Sequence, residues 1–323
     1  MFTGLQPSGA LHIGNYFGAL KPFVGLSREH ESFLMIADYH ALTTLKDPAA
    51  LRGNILSVAR DYIAAGIDPH TSIIFKQSDV PEHTELAWIF QCLVTVPFLE
   101  LAHAYKDKVA KGLEANAGLF AYPMLMAADI LLYDTDIVPV GADQRQHVEY
   151  SREAAKKFNH TYCEPTITGT DIVHIDEANY IFKEPVEKIM AEVGVAGTDG
   201  KKMSKSYKNT IPLFASKDEI AKAVMSIVTD SKGESPEHVY NIHALFRTRD
   251  ELSEIYTTNK GNYKALKEAL IEDIEALISP MREKRNSITD DEIKRIIKDG
   301  GERARAIASA KMTAVRSAVG VTV

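Results

Sequence analysis

Gly4-Leu5-Gln6-Pro7-Ser8-Gly9-Ala10-Leu11-His12-Ile13-Gly14-Asn15 is the stretch on which the reading of this 323-residue chain turns. It leaves a short apolar strand over residues 1–6, bends through two glycines and enters a helical pattern over residues 13–30. In that order, strand, glycine turn and helix form a phosphate site. Free backbone N–H groups and the positive end of the helix dipole attract anions, and glycine lets a nucleotide approach the main chain closely. His12 and Asn15 can donate to the same oxygens. On its own the pattern also describes an ordinary strand-to-helix turn, so its surroundings must decide.

Working outward, short apolar runs keep alternating with helical ones: residues 33–37 then 48–65, and 73–77 then 81–94. Residues 119–133 read as a buried helix, 136–140 as a strand, and 143–158 as an amphipathic helix whose Asp143 can cap its first turn. This predicts an α/β fold, a doubly wound parallel sheet with helices on both faces, continuing to about residue 160. Beyond Ser206 the pattern is helical throughout, over 217–228, 236–246, 249–257, 262–284 and 289–318. The expected division is a Rossmann-like domain over 1–205 and a C-terminal helical domain over 206–323. Packing of the last helix back on the first domain is one arrangement open to it.

Composition narrows the function classes. An apolar content of 45% over this length supports real cores. The apolar runs 36–42 and 125–133 fall well short of the roughly 20 residues a membrane span needs, and no basic, then apolar, then small-residue leader opens the sequence. A soluble, cytoplasmic protein with no membrane partner is expected. Cys92 and Cys163 lie far apart, which suggests neither a disulfide framework nor a thiolate zinc site. A net charge of −7 argues against nonspecific coating of nucleic acid. Basic charge is nonetheless concentrated late: residues 281–311 hold nine Lys or Arg against six Asp or Glu, a balance that also suits a solvated helix face.

Residues 200–208 hold four lysines and no acid, around Lys202-Met203-Ser204-Lys205-Ser206. This loop sits where the two patterns meet. Two ammonium groups and two hydroxyls on a loop suit the triphosphate of ATP, whose departing pyrophosphate gains charge in the transition state. Asp129 is a third signal. An acid among Leu125, Met126, Ala127, Ala128, Ile130, Leu131 and Leu132 is costly to bury without a partner, which could be a ligand donor, a backbone N–H or an internal arginine.

The turn at His12 and the loop at Lys202 together resemble the HIGH and KMSKS signatures of class I aminoacyl-tRNA synthetases. Gln-Pro-Ser-Gly ahead of His-Ile-Gly-Asn is similar to the tryptophanyl branch, as are residues 122–133 and 138–149. The helical third resembles the family mainly in length and helix content. The resemblance implies ATP contacts at Gln6, Pro7, Ser8, Gly14, Asn15, Gly141, Ala142 and Asp143, with Lys202, Met203, Ser204, Lys205 and Ser206 on the phosphates and Val195 near the adenine. For L-tryptophan it implies Asp129 as acceptor of the indole N–H, apolar walls from Phe2, Tyr122, Met126, Val138 and Val140, and His40 and Gln144 beside them. Ordinary core packing also accounts for Phe2, Met126, Val138 and Val140, and His40 could be a satisfied core histidine.

The activity implied is activation of L-tryptophan by ATP with Mg2+, then transfer to tRNA(Trp). The carboxylate nucleophile is already ionised, so positioning and phosphate-charge stabilisation carry the chemistry, with His12, Asn15, Lys202 and Lys205 as catalytic candidates and no protein metal cage. The resemblance further implies anticodon reading by the helical domain and a homodimer with one tRNA lying across both subunits. Alternatives are the related tyrosyl enzyme and a catalytically silent tryptophan sensor, although both phosphate signatures are intact. Tyr39 departs from the glutamine that many relatives carry, and the course of residues 166–200 is left open.

Overall fold

Runs of β-branched and aromatic residues build the sheet, because their side chains fill both of its faces. The computed structural model describes residues 1–112, 114–141, 145–163, 166–167, 173–174, 179–190, 194–228 and 236–322. Its strands are β1 (Phe2–Leu5), β2 (Ser32–Ile36), β3 (Ser72–Lys76), β4 (Ile137–Val140), the two-residue β5 (Thr166–Ile167) and β6 (Val173–His174), and β7 (Val186–Ile189). Strands β1, β2 and β3 pair in parallel, with Phe2 opposite Phe33 and Phe33 opposite Ile73. β4 lies beside β1 and pairs in parallel with β7, while β5 and β6 form a small antiparallel pair. The chain thus moves outward from β1 to β3 and returns on the other side of β1 as β4. That reversal opens a crevice at the carboxyl ends of β1 and β4, where doubly wound sheets bind ligands.

The helices are α1 (Ile13–Asn15), α2 (Lys21–Leu26), α3 (Asp38–Ala41), α4 (Pro48–Ala64), α5 (Glu82–Leu93), α6 (Val96–Leu99), α7 (His103–Ala110), α8 (Ala117–Leu131) and α9 (Arg145–Tyr162). Then follow α10 (Lys217–Met225), α11 (Glu237–His243), α12 (Arg249–Thr258), α13 (Tyr263–Ser287) and α14 (Asp290–Val319). Their starts follow local chemistry. Asp47 accepts from the N–H groups of Ala49 and Ala50 ahead of Pro48, and capping boxes open α10 at Ser216 and α12 at Thr248. The helix expected over residues 13–30 is instead α1, a π-helical turn over Tyr16–Leu20 and α2, ending at Leu26. Pro22 lacks the N–H that a regular helix would use there.

Alternation along β2 divides the interior in two. Leu34 and Ile36 pack with α4, α10 and α13, whereas Phe33 and Met35 pack with α5, α8 and α9 on the opposite face. Helices α10, α11 and α13 pack together, and α13 also docks on α4 through an Arg285–Asp61 ion pair. Helix α14 serves both faces: Ile293 and Ile297 join the first core, and Ala304, Ala308, Met312 and Val315 join the second. It crosses β3 on two glycines. A Cβ on Gly300 would lie 1.9 Å from the carbonyl oxygen of Ile74, and one on Gly301 would lie 3.0 Å from Asp79 Cβ. Strand β7 had no clear sequence signal, since Val-Glu-Lys-Ile sets two adjacent charged residues between two apolar ones and none of the four is buried. Among the described residues no helix is long and apolar enough to cross a membrane.

Candidate active site

The chain leaves β1 through Gln6 and Pro7, and Ser8 N–H donates to the Gln6 carbonyl at 2.8 Å. Gly9 has φ +96°, a conformation that suits glycine, and Asn54 Nδ2 holds the Pro7 carbonyl from α4 at 3.0 Å. His12 and Asn15 then cap α1 reciprocally. The Asn15 N–H donates to His12 Nδ1 at 3.3 Å, and the His12 N–H donates to Asn15 Oδ1 at 3.1 Å. With Nδ1 accepting, the hydrogen-bond network assigns the ring proton to Nε2. Burial, and secondarily the Lys205 ammonium, push the His12 pKa down to about 4. His12 is therefore a neutral imidazole at pH 7, with Nε2–H as its donor.

The lysine loop is tied directly to this turn. Ile13 N–H donates to the Ile211 carbonyl at 3.0 Å, and Leu213 N–H donates to the Leu11 carbonyl at 2.9 Å. Met203 is buried, its N–H donating to the Val195 carbonyl at 2.8 Å. A Cβ on Gly14 would stand 2.9 Å from His12 Nδ1 and 3.3 Å from Met203 Cβ, so the glycine lets the two motifs approach. Asn209 fastens the loop from beneath: its Nδ2 donates to Asp199 Oδ1 at 2.7 Å and to the Lys202 carbonyl at 3.2 Å, and its Oδ1 accepts from Ser204 N–H at 2.7 Å. Lys205–Tyr207 form one 3-10 turn, closed by Lys208 in the left-handed region at φ +54°. Ser8, His12, Asn15, Lys202, Met203, Ser204, Lys205 and Ser206 thus converge, with Tyr207, on one cavity of about 500 Å³.

The second group surrounds Asp129, which is 1% exposed. Its Oδ1 accepts from His83 Nδ1 at 2.6 Å and from Gln77 Nε2 at 2.8 Å, and its Oδ2 accepts from His40 Nε2 at 2.8 Å and from Gln77 Nε2 at 3.0 Å. Its partners are therefore two imidazoles and an amide. Burial alone would raise this carboxyl, but the His83 ring and the hydrogen bonds from His40 and His83 outweigh it and hold the pKa at about 2. Behind His83, Tyr133 Oη lies 2.8 Å from Nε2, and burial keeps the phenol protonated. Because the Asp129 carboxylate only accepts, His83 carries a proton on Nδ1, and the Tyr133 hydroxyl pairs with the far nitrogen of the ring.

Of the expected tryptophan pocket, Phe2 and Val138 lie in the second core, Phe2 stacking on Tyr133 at 5.6 Å. Tyr122, Met126 and Val140 sit half-buried at its edge. Tyr122 meets His40 edge-on at 6.4 Å and lies 3.0 Å from His147 Nε2 through its hydroxyl. Gly141 follows β4, whereas Ala142, Asp143 and Gln144 lie outside the described residues. Gln77, His83, Tyr133 and Asn209 are additions that the sequence reading missed. His83 did carry a signal, because it falls on the buried stripe of α5 with Leu86, Ala87 and Phe90.

The family model described as "tRNA synthetases class I (W and Y)" matches residues 1–290. A tryptophan–tRNA ligase of Fusobacterium nucleatum is 44% identical over 330 residues, covering 99% of this chain and 97% of that protein. The chain belongs to the tryptophanyl-tRNA synthetase family. A crystal structure of the Campylobacter jejuni tryptophanyl-tRNA synthetase, complexed with ADP and tryptophan, superposes with a TM-score of 0.87 at 42% identity over 99% of each chain. The Mycoplasma pneumoniae member gives 0.79 at 27% identity, covering 99% of this chain and 97% of its own. Family membership accounts for the pairing of the His12 turn with the lysine loop on either side of one cavity.

Proposed function

We propose that this chain activates L-tryptophan with ATP, releasing pyrophosphate, and passes the tryptophanyl group to the terminal ribose of tRNA(Trp). The observation that carries the reading is the convergence of Ser8, His12 and Asn15 with Lys202 to Ser206 around one cavity at the open end of a doubly wound sheet. The tryptophan carboxylate attacks the α-phosphorus and needs no base, since it is already ionised at neutral pH. The neutral His12 donates from Nε2 to phosphate oxygen, and Lys202 and Lys205 neutralise the charge that grows on the departing pyrophosphate. Gln6, Pro7, Gly14, Gly141, Ala142, Asp143 and Val195 complete the nucleotide contacts. Asp129 accepts the indole N–H, with Phe2, Tyr122, Met126, Val138, Val140, His40 and Gln144 around the ring.

Magnesium enters with ATP as part of the substrate, bridging its phosphates. Among the described residues no cluster of three or more His, Cys, Asp or Glu is arranged to hold a metal. The protein works in the cytoplasm as a homodimer, its helical domain over residues 206–323 reading the anticodon. Exposed apolar side chains that follow one another along α5 to α7, Trp88, Val96, Leu101 and Val109, support the dimer. The test of the function is exchange of labelled pyrophosphate into ATP, run with each of the twenty amino acids. Exchange should require tryptophan and magnesium, and exchange driven by tyrosine would overturn the reading.

A further inference from the structure

An ionised carboxylate offers about four lone-pair positions. In Asp129 three protein donors crowd these positions: His83 Nδ1 on Oδ1, His40 Nε2 on Oδ2, and Gln77 Nε2 shared between the two oxygens. An indole N–H can therefore reach this acceptor only by replacing one of them. The donors are unequally held. Gln77 is fully buried, and its Oε1 is fixed from behind by the N–H groups of Tyr39 and His40 at 3.1 and 3.3 Å. His83 is also fully buried, stacked on Phe75 at 6.1 Å and engaged at Nε2 by Tyr133. His40 sits outermost. It is 6% exposed, on the four-residue helix α3, and it faces Tyr122 at the rim of the second core.

We propose that His40 is an exchangeable cap on Asp129, donating to Oδ2 while the pocket is empty and surrendering that oxygen to the indole N–H of tryptophan, while Gln77 and His83 stay in place as fixed anchors. This rests on the reading of Asp129 as the indole acceptor. It makes His40 a specificity-determining residue of an unusual kind. A tryptophan analogue without the N–H leaves the His40 bond intact, so the cap spares that analogue the cost of an under-satisfied buried acceptor. The presence of His40 thus lowers discrimination.

The consequence has an inverted sign. Activation rates for tryptophan and for its benzothiophene analogue, which carries sulfur in place of N–H, give a preference ratio. His40→Ala should raise that ratio about tenfold or more, because the analogue now leaves a buried, charged oxygen with only its longer, shared bond from Gln77. His40→Gln, whose amide nitrogen can stand where Nε2 stands, should return the ratio to the wild-type value. A residue that merely supports the fold would move both rates together, and an unchanged or lowered ratio in His40→Ala overturns the exchange. Asp129→Ala separates the two readings. If it retains the wild-type preference, Asp129 is not the indole acceptor and both readings fall; if it loses the preference while His40→Ala leaves the ratio unchanged, only the exchange falls. A measurement on the unaltered chain avoids any dependence on folding of the variants. In 15N-histidine NMR, saturating tryptophan should shift the His40 Nε2 resonance while the benzothiophene analogue leaves it in place. Equal shifts with both ligands, or none with tryptophan, overturn the proposal.

Discussion

Lys205 Nζ donates to the carbonyl oxygen of Ser8 at 3.1 Å, joining the lysine loop to the glycine turn across 197 residues of chain. Partial desolvation holds the ammonium below the usual lysine pKa, with Asp61 opposing. The carbonyl is a weak partner for a cation, and a phosphate oxygen is a better one. Lys205→Ala should therefore lower the rate of adenylate formation at least tenfold while changing tryptophan affinity less than twofold, because its charge counts most as pyrophosphate departs. Rapid-quench rates set beside equilibrium tryptophan binding check this, and equal losses in both would remove Lys205 from that role.

His12 gives a pH signature. Its pKa falls from an unfolded value near 6.5 to about 4 in the fold, so the unfolded chain binds the extra proton first as pH drops. The contribution to stability is complete above pH 6.5 and is lost as pH falls from there to about 4. The melting temperature of the wild type should fall relative to His12→Gln across that window and run parallel to it above pH 7. Differential scanning calorimetry at half-unit pH steps reads this directly.

On the proposed reading of Asp129 as the indole acceptor, its replacement bears on both stability and specificity. Asp129→Ala strands donors from Gln77, His40 and His83 in a dry pocket, which costs about 3–5 kcal/mol by analogy with breaking a buried charged pair. The fraction that folds should lose most of its preference for tryptophan over the benzothiophene analogue. Asp129→Asn keeps one acceptor but turns an NH2 group toward existing donors, so it should fall between wild type and Ala in both stability and preference. Chemical denaturation and paired activation rates supply the two readings.

Gly14→Ala tests the packing of the two motifs. Its methyl would press on His12 Nδ1 and Met203 Cβ together, disturbing the α1 cap and the seat of the lysine loop. The expected cost is about 1–3 kcal/mol of stability, typical of overpacking. The KM for ATP should rise at least fivefold, with the KM for tryptophan little changed, and steady-state pyrophosphate exchange separates the two.

Much of the fold was legible where the signal is local. The apolar runs that became β1 to β4, and the helical segments opened by Asp47, Ser216 and Thr248, follow from spacing and capping chemistry within a few residues. The glycine turn and the lysine loop were legible for the same reason. What escaped is non-local. The partners of Asp129 stand 46 to 89 residues away, and nothing near Asn209 announces that its amide would clip Asp199, Lys202 and Ser204 together. Helical periodicity identified α14 but could not reveal that Gly300 would rest on the backbone of Ile74.

That contact orders events during synthesis. β3 is complete by residue 76, yet the helix that covers its edge and contributes to the cores on both faces of the sheet begins at residue 290. Until α14 clears the ribosome, the nascent chain carries an uncapped strand edge and two unfinished apolar surfaces, the features that promote misassociation. The first half of this protein, which holds the glycine turn, reaches its final packing only when α14, the last of the described helices, has been made.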